Sequence, residues 1–80
     1  MSFKLHDTVR IVGLLVPDRE VTGSSSTPPQ PRVGEVGTVV ADVGDGLLLV
    51  EHVTADGYTV WLAEFALAEL ELVVEPPVIG

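Results

Sequence analysis

The second half of the chain consists of short apolar segments separated by tight-turn signals. These turns limit the possible folds more than any other feature of the sequence. Gly44, Asp45 and Gly46 form one turn signal, and Asp56 and Gly57 form the next. Gly and Asp tolerate the positive φ angles that short hairpin loops require. The segments beside these turns are rich in Val and Leu and are short for helices. The pattern therefore predicts β-hairpins.

Extending this reading along the chain predicts about five strands, at residues 7–16, 37–43, 47–53, 58–62 and 69–74. In the first of them, Val9 and Ile11 alternate with Thr8 and Arg10 in the period of two that marks a half-buried strand. A short 3₁₀ turn is predicted at residues 65–68. A helix over residues 63–72 is the weaker alternative, supported by the Ala, Leu and Glu there. The expected fold class is all-β, a small barrel whose closure removes exposed strand edges.

The chain has 80 residues, which is enough for one domain. We assign residues 1–75 to that single domain and residues 76–80 to a C-terminal tail, because two prolines at 76 and 77 end the last strand. Residues 17–32 contain a Gly-Ser-Ser-Ser stretch followed by Pro-Pro-Gln-Pro. This composition predicts a long flexible loop after the first strand.

The segment Val-Gly-Glu-Val-Gly-Thr-Val-Val at residues 33–40 resembles the strand entry of SH3-like barrels, where a similar segment follows a long first loop. The Val-Glu-His-Val segment at 50–53 and the Asp-Gly turn at 56–57 extend the resemblance over residues 7–73. The chain resembles a family of short prokaryotic SH3-like proteins of unassigned function. The resemblance implies an SH3-like barrel and carries no catalytic residue.

Charge is distributed unevenly along the chain. Twelve acidic and four basic residues give a net charge of −8, and every Lys and Arg lies within residues 1–32. Nucleic-acid binding depends on Lys and Arg to neutralise phosphates, and anionic membranes attract basic segments. We therefore expect neither nucleic acid nor a membrane as a partner. No apolar run approaches the ~20 residues of a membrane span, and residues 1–7 do not form a signal peptide, so a cytoplasmic location is expected.

Side chains that could carry chemistry are few. The chain has no cysteine, and its histidines are His6 and His52, whereas a zinc site needs three or four ligands at close range. His52 shares strand parity with Leu48 and Val50, and if their face is the core it is expected to be a neutral interior side chain. Glu69 and Glu71 are expected on one solvated face of the last strand. We predict no catalytic residue, metal ligand or cofactor-binding residue.

The third predicted strand has too many apolar residues for one buried face. Leu47 and Leu49 alternate with Leu48 and Val50, and a barrel strand turns only one face to the core. One of these two pairs must therefore lie outside and be covered by a loop, a tail or another chain.

Aromatic residues on and after the fourth strand are candidates for the same surface, since Trp and Tyr are enriched at binding hot spots. Trp61 turns outward if Val60 and Leu62 fill the core, and core packing is its alternative. The predicted partner-binding residues are Leu47, Leu49, Tyr58, Trp61 and Phe65.

These features favour a non-catalytic protein-interaction module or accessory subunit that binds itself or another protein, with self-association expected. One alternative is a small enzyme whose site forms at an oligomer interface from residues such as His52, Arg32 and Tyr58. Another is a nucleic-acid-binding small barrel, which the charge disfavours.

Overall fold

The computed structural model of the protein describes residues 3–16 and 18–73. Five strands form one antiparallel sheet in the order β4-β3-β2-β1-β5. They are β1 (Thr8–Ile11), β2 (Val36–Gly44), β3 (Leu47–Val53), β4 (Thr59–Ala66) and β5 (Leu70–Leu72), and one 3₁₀ turn, η1 (Leu67–Glu69), joins β4 to β5. Within the described ranges no helix has the length and apolar character needed to cross a bilayer.

The predicted all-β fold class is confirmed, and so is a single 3₁₀ turn near the end of β4. The turn covers Leu67–Glu69 in place of residues 65–68, and no helix forms over 63–72. The β2–β3 hairpin turns at Asp45 and Gly46, whose φ angles are 55° and 76°. Two consecutive positive φ angles are what a tight hairpin with right-handed strand twist requires, so the local sequence explains this turn.

The core lies against one face of the sheet. Period-two alternation places Val9 and Ile11 of β1, and Leu48 and Val50 of β3, on this face. The aromatic ring planes of Trp61 and Phe65 are tilted against each other, with centroids 5.3 Å apart. The buried apolar core consists of Val9, Ile11, Val39, Leu48, Val50, Trp61, Ala63, Phe65 and Leu70.

The prediction of a first strand over residues 7–16 is wrong beyond Ile11. After Ile11 the backbone leaves the sheet and runs beside Glu69, the buried last residue of η1. Val12 N–H donates to the Glu69 carbonyl, and Leu15 N–H donates to the Glu69 side-chain carboxylate. Because the chain bends towards this carboxylate, Leu15 does not continue the buried face of Val9 and Ile11 and is 67% exposed.

The long segment between β1 and β2 crosses the outer edge of β4. Thr22 N–H donates to the Leu62 carbonyl, and Leu62 N–H donates to the Thr22 carbonyl at 2.7 Å. Ser24 N–H donates to the Thr59 carbonyl in the same way. These bonds occupy an edge that would otherwise be open to pairing with another chain. The flexibility expected for residues 17–32 and the domain boundary at residue 75 stay predictions, and the tail at 76–80 lies outside the described residues.

Gly37 of β2 is needed for close packing against β3. A Cβ atom at this position would lie 2.6 Å from Val50 Cγ1 and 2.8 Å from the Glu51 carbonyl oxygen. We expect Gly37→Ala to lower the free energy of unfolding by about 1–3 kcal/mol, as overpacking does. Urea denaturation followed by circular dichroism measures this loss.

Gly13→Ala is the matched control, because its added Cβ would have no atom within 4 Å. We expect this variant to lie within about 0.5 kcal/mol of the wild type. Equal stability of the two alanine variants would contradict the packing argument.

Candidate functional site

The outer face of the β3–β4 hairpin carries apolar side chains that the core does not use. Leu48 and Val50 point into the core, so the alternation places Leu47 and Leu49 on the opposite face, where both are half-buried. Leu47 pairs across the ladder with Ala66, and Leu49 with Glu64. The prediction that one apolar pair of this strand lies outside the core is therefore confirmed, and the pair is Leu47 and Leu49.

A groove of about 530 Å³ runs between this outer face and the segment that leaves β1. Its β-sheet wall includes Leu47, Leu49 and Leu62, and its other wall includes Leu15 and Val16. Leu15 is 67% exposed and Val16 is 43% exposed. Its volume falls within the range of typical ligand clefts, and its walls are mainly aliphatic.

A buried ion pair forms part of the lining of the groove. The side chains of Arg19 and Glu69 are 8% and 3% exposed. Arg19 donates to both carboxylate oxygens of Glu69 in a bidentate arrangement. The N–H groups of Leu15 and Ala66 donate to the same carboxylate at 2.9 and 2.8 Å. Four donors therefore satisfy the buried charge, as burial of an ionised group requires.

Arg19 also fixes the crossing segment onto the sheet. Its guanidinium carbon lies 4.4 Å from the centroid of the Phe65 ring, a cation–π arrangement. One of its nitrogens donates to the Glu64 carbonyl at 2.8 Å. The position of the groove wall that contains Leu15 and Val16 thus depends on a contact between residues far apart in sequence.

The pKa of Glu69 is lowered from its ordinary value. Burial alone would raise this pKa, but hydrogen bonds from Arg19, Leu15 and Ala66 and the positive charge of Arg19 together outweigh it. The carboxylate consequently stays ionised at neutral pH and remains available to the guanidinium.

Glu69 was expected on a solvated face with Glu71, and this expectation is wrong for Glu69. Glu71 is exposed and forms a surface ion pair with Arg10 at 2.7 Å, whereas Glu69 is buried. The 3₁₀ turn that ends at Glu69 breaks the two-residue alternation on which the expectation depended. The Arg19–Glu69 pair was missed by sequence reasoning, and its only signal was a charged residue among the apolar residues near position 69.

Two of the five predicted partner-binding residues are interior. Trp61 and Phe65 are both 0% exposed, so assigning them to an accessible contact surface is wrong. The reason is the parity of β4: Trp61, Ala63 and Phe65 face the core, while Leu62 faces outward. Tyr58 is 45% exposed but lies at the end of the hairpin opposite Leu47, and its role in binding stays a prediction.

His52 lies at the edge of the core, half-buried and stacked on Trp61 with a centroid separation of 5.3 Å. Its Nδ1 donates to the Val36 carbonyl at 2.6 Å, and its Nε2 lies 3.5 Å from a Glu35 carboxylate oxygen. The other Glu35 oxygen accepts the Trp61 indole N–H. The predicted side of the strand is therefore correct, but the burial is only partial.

The side chains capable of metal binding are dispersed. Over residues 3–16 and 18–73, no group of three or more His, Cys, Asp and Glu side chains is arranged to hold a metal ion. The apolar groove with its buried ion pair is therefore the feature that we consider as a candidate site. No protein-family model, curated protein or solved structure matches this chain.

Proposed function

We propose that this protein is a non-catalytic protein-interaction module that binds a protein segment in the groove between β3, β4 and the segment after β1. The observation that carries the proposal is the set of accessible aliphatic side chains on both walls: Leu15 and Val16 on one side, and Leu47, Leu49 and Leu62 on the other.

Physical chemistry supports a docking role for such a surface. Contiguous exposed apolar patches are uncommon on small monomeric proteins and usually mark interaction sites. Burying one Leu side chain stabilises a complex by about 1.5–3 kcal/mol before the costs of association. Here several aliphatic side chains surround one concave space, so a partner can bury them together.

The groove wall is also held in place before any partner arrives. The Arg19–Glu69 pair and the Thr22–Leu62 bonds join the crossing segment to β4. A preorganised site avoids much of the ordering cost of binding. This favours a binding role for the groove over a role as an incidental surface irregularity.

Self-association, an enzyme site at an oligomer interface and nucleic-acid binding remain predictions, as does a cytoplasmic location. The docking proposal requires only that the groove accepts a protein segment, whether that segment comes from a second copy or from a different protein.

Selection from a random peptide library against the whole 80-residue protein tests this proposal. We expect enriched peptides that share spaced apolar residues, with affinities that fall at least about tenfold for the variant Leu15→Thr/Leu49→Thr, since two anchoring contacts are lost. Thr preserves strand propensity at position 49. Fluorescence anisotropy with the enriched peptides measures the change.

Val33→Thr/Val53→Thr is the control variant, because these valines are 59% and 43% exposed and lie outside the groove. It should keep wild-type affinity. Absence of enriched peptides, or equal loss of affinity in both variants, would overturn the proposal.

A further inference from the structure

The charged groups of the groove are predominantly negative. Glu20 and Glu64 line it and are exposed. Among the described residues, neither carboxylate has a salt bridge or a side-chain hydrogen bond. Arg19 also lines the groove, but Glu69 already neutralises it. A ligand in the groove therefore meets two uncompensated carboxylates.

The protein has little positive charge with which to balance these carboxylates. Its other basic side chains are Lys4, Arg10 and Arg32, and in the described structure none of them lines the groove. Arg10 is paired with Glu71 on β5. Charge balance at the groove must therefore come from the molecule that binds there.

The groove also restricts how a partner can bind. The backbone of β4 at Leu62 is already bonded on its outer side to Thr22, and Arg19 occupies the Glu64 carbonyl. Addition of a partner strand along this part of β4 is therefore blocked. Recognition must come from side chains, with apolar anchors on the leucines and charged groups at the edges.

We propose that the groove binds a short, cationic, amphipathic segment of a different protein, with apolar side chains against Leu15, Leu49 and Leu62 and Lys or Arg side chains beside Glu20 and Glu64. This inference rests on the docking function proposed above and names its ligand. A second copy of the chain is a poor occupant, because each copy has a net charge of −8 and a groove with the same negative charge.

The apolar contacts and the exposed carboxylates contribute differently to binding. The apolar anchors supply most of the affinity, because buried area excludes water. The exposed carboxylates accelerate association and discriminate against acidic partners, and their effect weakens as salt is added. Selectivity for cationic segments should therefore depend on salt concentration more than binding itself does.

Three synthetic peptides of about 14 residues separate these contributions. One is an amphipathic Leu/Lys peptide, the second has Glu in place of every Lys, and the third keeps the Lys residues but replaces every Leu with Ser or Gly. At about 50 mM salt we expect the Leu/Lys peptide to bind at least about tenfold more tightly than either of the others. This preference should shrink severalfold at about 300 mM salt. Isothermal titration calorimetry measures the affinities, and amide chemical shifts locate the binding surface.

Two neutralising variants test the role of the carboxylates. Glu20→Gln/Glu64→Gln should weaken binding of the Leu/Lys peptide by about fivefold or more. Asp7→Asn/Asp56→Asn changes the net charge equally, at positions outside the groove, and should leave binding within about twofold. Leu15→Thr/Leu49→Thr should reduce it at least about tenfold.

The outcomes that would overturn the cationic ligand differ from those that would overturn the docking function. Tight binding of the Leu/Glu peptide in the groove, or equal effects of the two neutralising variants, would overturn the cationic ligand but retain docking. A wild-type dimer, measured by light scattering, that is lost in the Leu15→Thr/Leu49→Thr variant would also overturn the cationic ligand and retain docking. Binding of the Leu/Lys peptide outside the groove, or no binding by any peptide, would overturn the inference. Failure of the library selection as well would overturn the docking function.

Discussion

Arg19→Met is expected to lower the free energy of unfolding by about 3–5 kcal/mol at pH 7, because it leaves the Glu69 carboxylate buried without its cation. Small cores supply a net stability of roughly 3–5 kcal/mol, so much of the variant should be unfolded at room temperature. Urea denaturation followed by circular dichroism gives the value, with a stabilising osmolyte added if the variant is unfolded in buffer.

Arg10→Met is the matched control, because it makes the same substitution in an ion pair whose side chains are 44% and 48% exposed. Exposed pairs contribute about 0–1 kcal/mol. The comparison therefore isolates burial as the cause of the larger effect. If the two variants lose equal stability, the Arg19–Glu69 pair is not the structural anchor that its geometry indicates.

The loss of stability caused by Arg19→Met should depend on pH, and the ionisation of Glu69 sets the direction of this dependence. The pKa of Glu69 is lowered in the folded protein, with burial opposing this shift and the hydrogen bonds from Arg19 and two backbone N–H groups producing it. Such a group contributes stability that is fully present above its unfolded pKa and is lost as the pH falls through the lower folded pKa. The stability difference between wild type and variant should therefore be full at pH 7 and should narrow on acidification.

Trp61→Ala is expected to cost about 3–5 kcal/mol, the range for removing a large aromatic side chain from a core. Trp61 is 0% exposed, packs on Phe65 and His52, and donates its indole N–H to Glu35 at 3.2 Å. We expect far-ultraviolet circular dichroism to show a largely unfolded chain at room temperature.

Two further variants make the test of Trp61 specific. Trp61→Phe retains an aromatic ring but loses volume and the hydrogen bond to Glu35, so an intermediate loss of about 1–2 kcal/mol is expected. Tyr58→Ala removes a side chain that is 45% exposed and should cost about 1 kcal/mol or less. A larger loss for Tyr58→Ala than for Trp61→Ala would reverse the assignment of interior and surface.

Several parts of the fold could be predicted from local sequence. The third strand has the predicted bounds, Leu47–Val53, because turn-forming residues lie on both sides of it. Alternation places Val9 and Ile11 on one face of β1 and Leu48 and Val50 on one face of β3, and the structure shows that these two faces are the buried ones. The excess apolar residues of β3 also showed that Leu47 and Leu49, or their neighbours, would have to lie outside the core.

The orientation of β4 could not be predicted in the same way. Residues 60–63 are all apolar, so alternation does not distinguish the two faces. The register also shifts between His52, which pairs with Trp61, and Val53, which pairs with Thr59. This irregularity leaves Val60 unpaired in the ladder and helps set which residues face the core. Burial of Trp61 and Phe65 follows from the packed sheet.

The candidate site shows the same division between local and tertiary information. Sequence alone predicts an all-β chain, its hairpin turns, an apolar surplus on β3 and a strongly acidic balance, because turn chemistry, alternation and net charge are properties of neighbouring residues or of composition. The packed structure is needed to place Leu15 and Val16 across the groove from Leu49 and to bury Glu69 against Arg19. These contacts join positions up to 50 residues apart, and they form only when the long segment after β1 crosses the edge of β4.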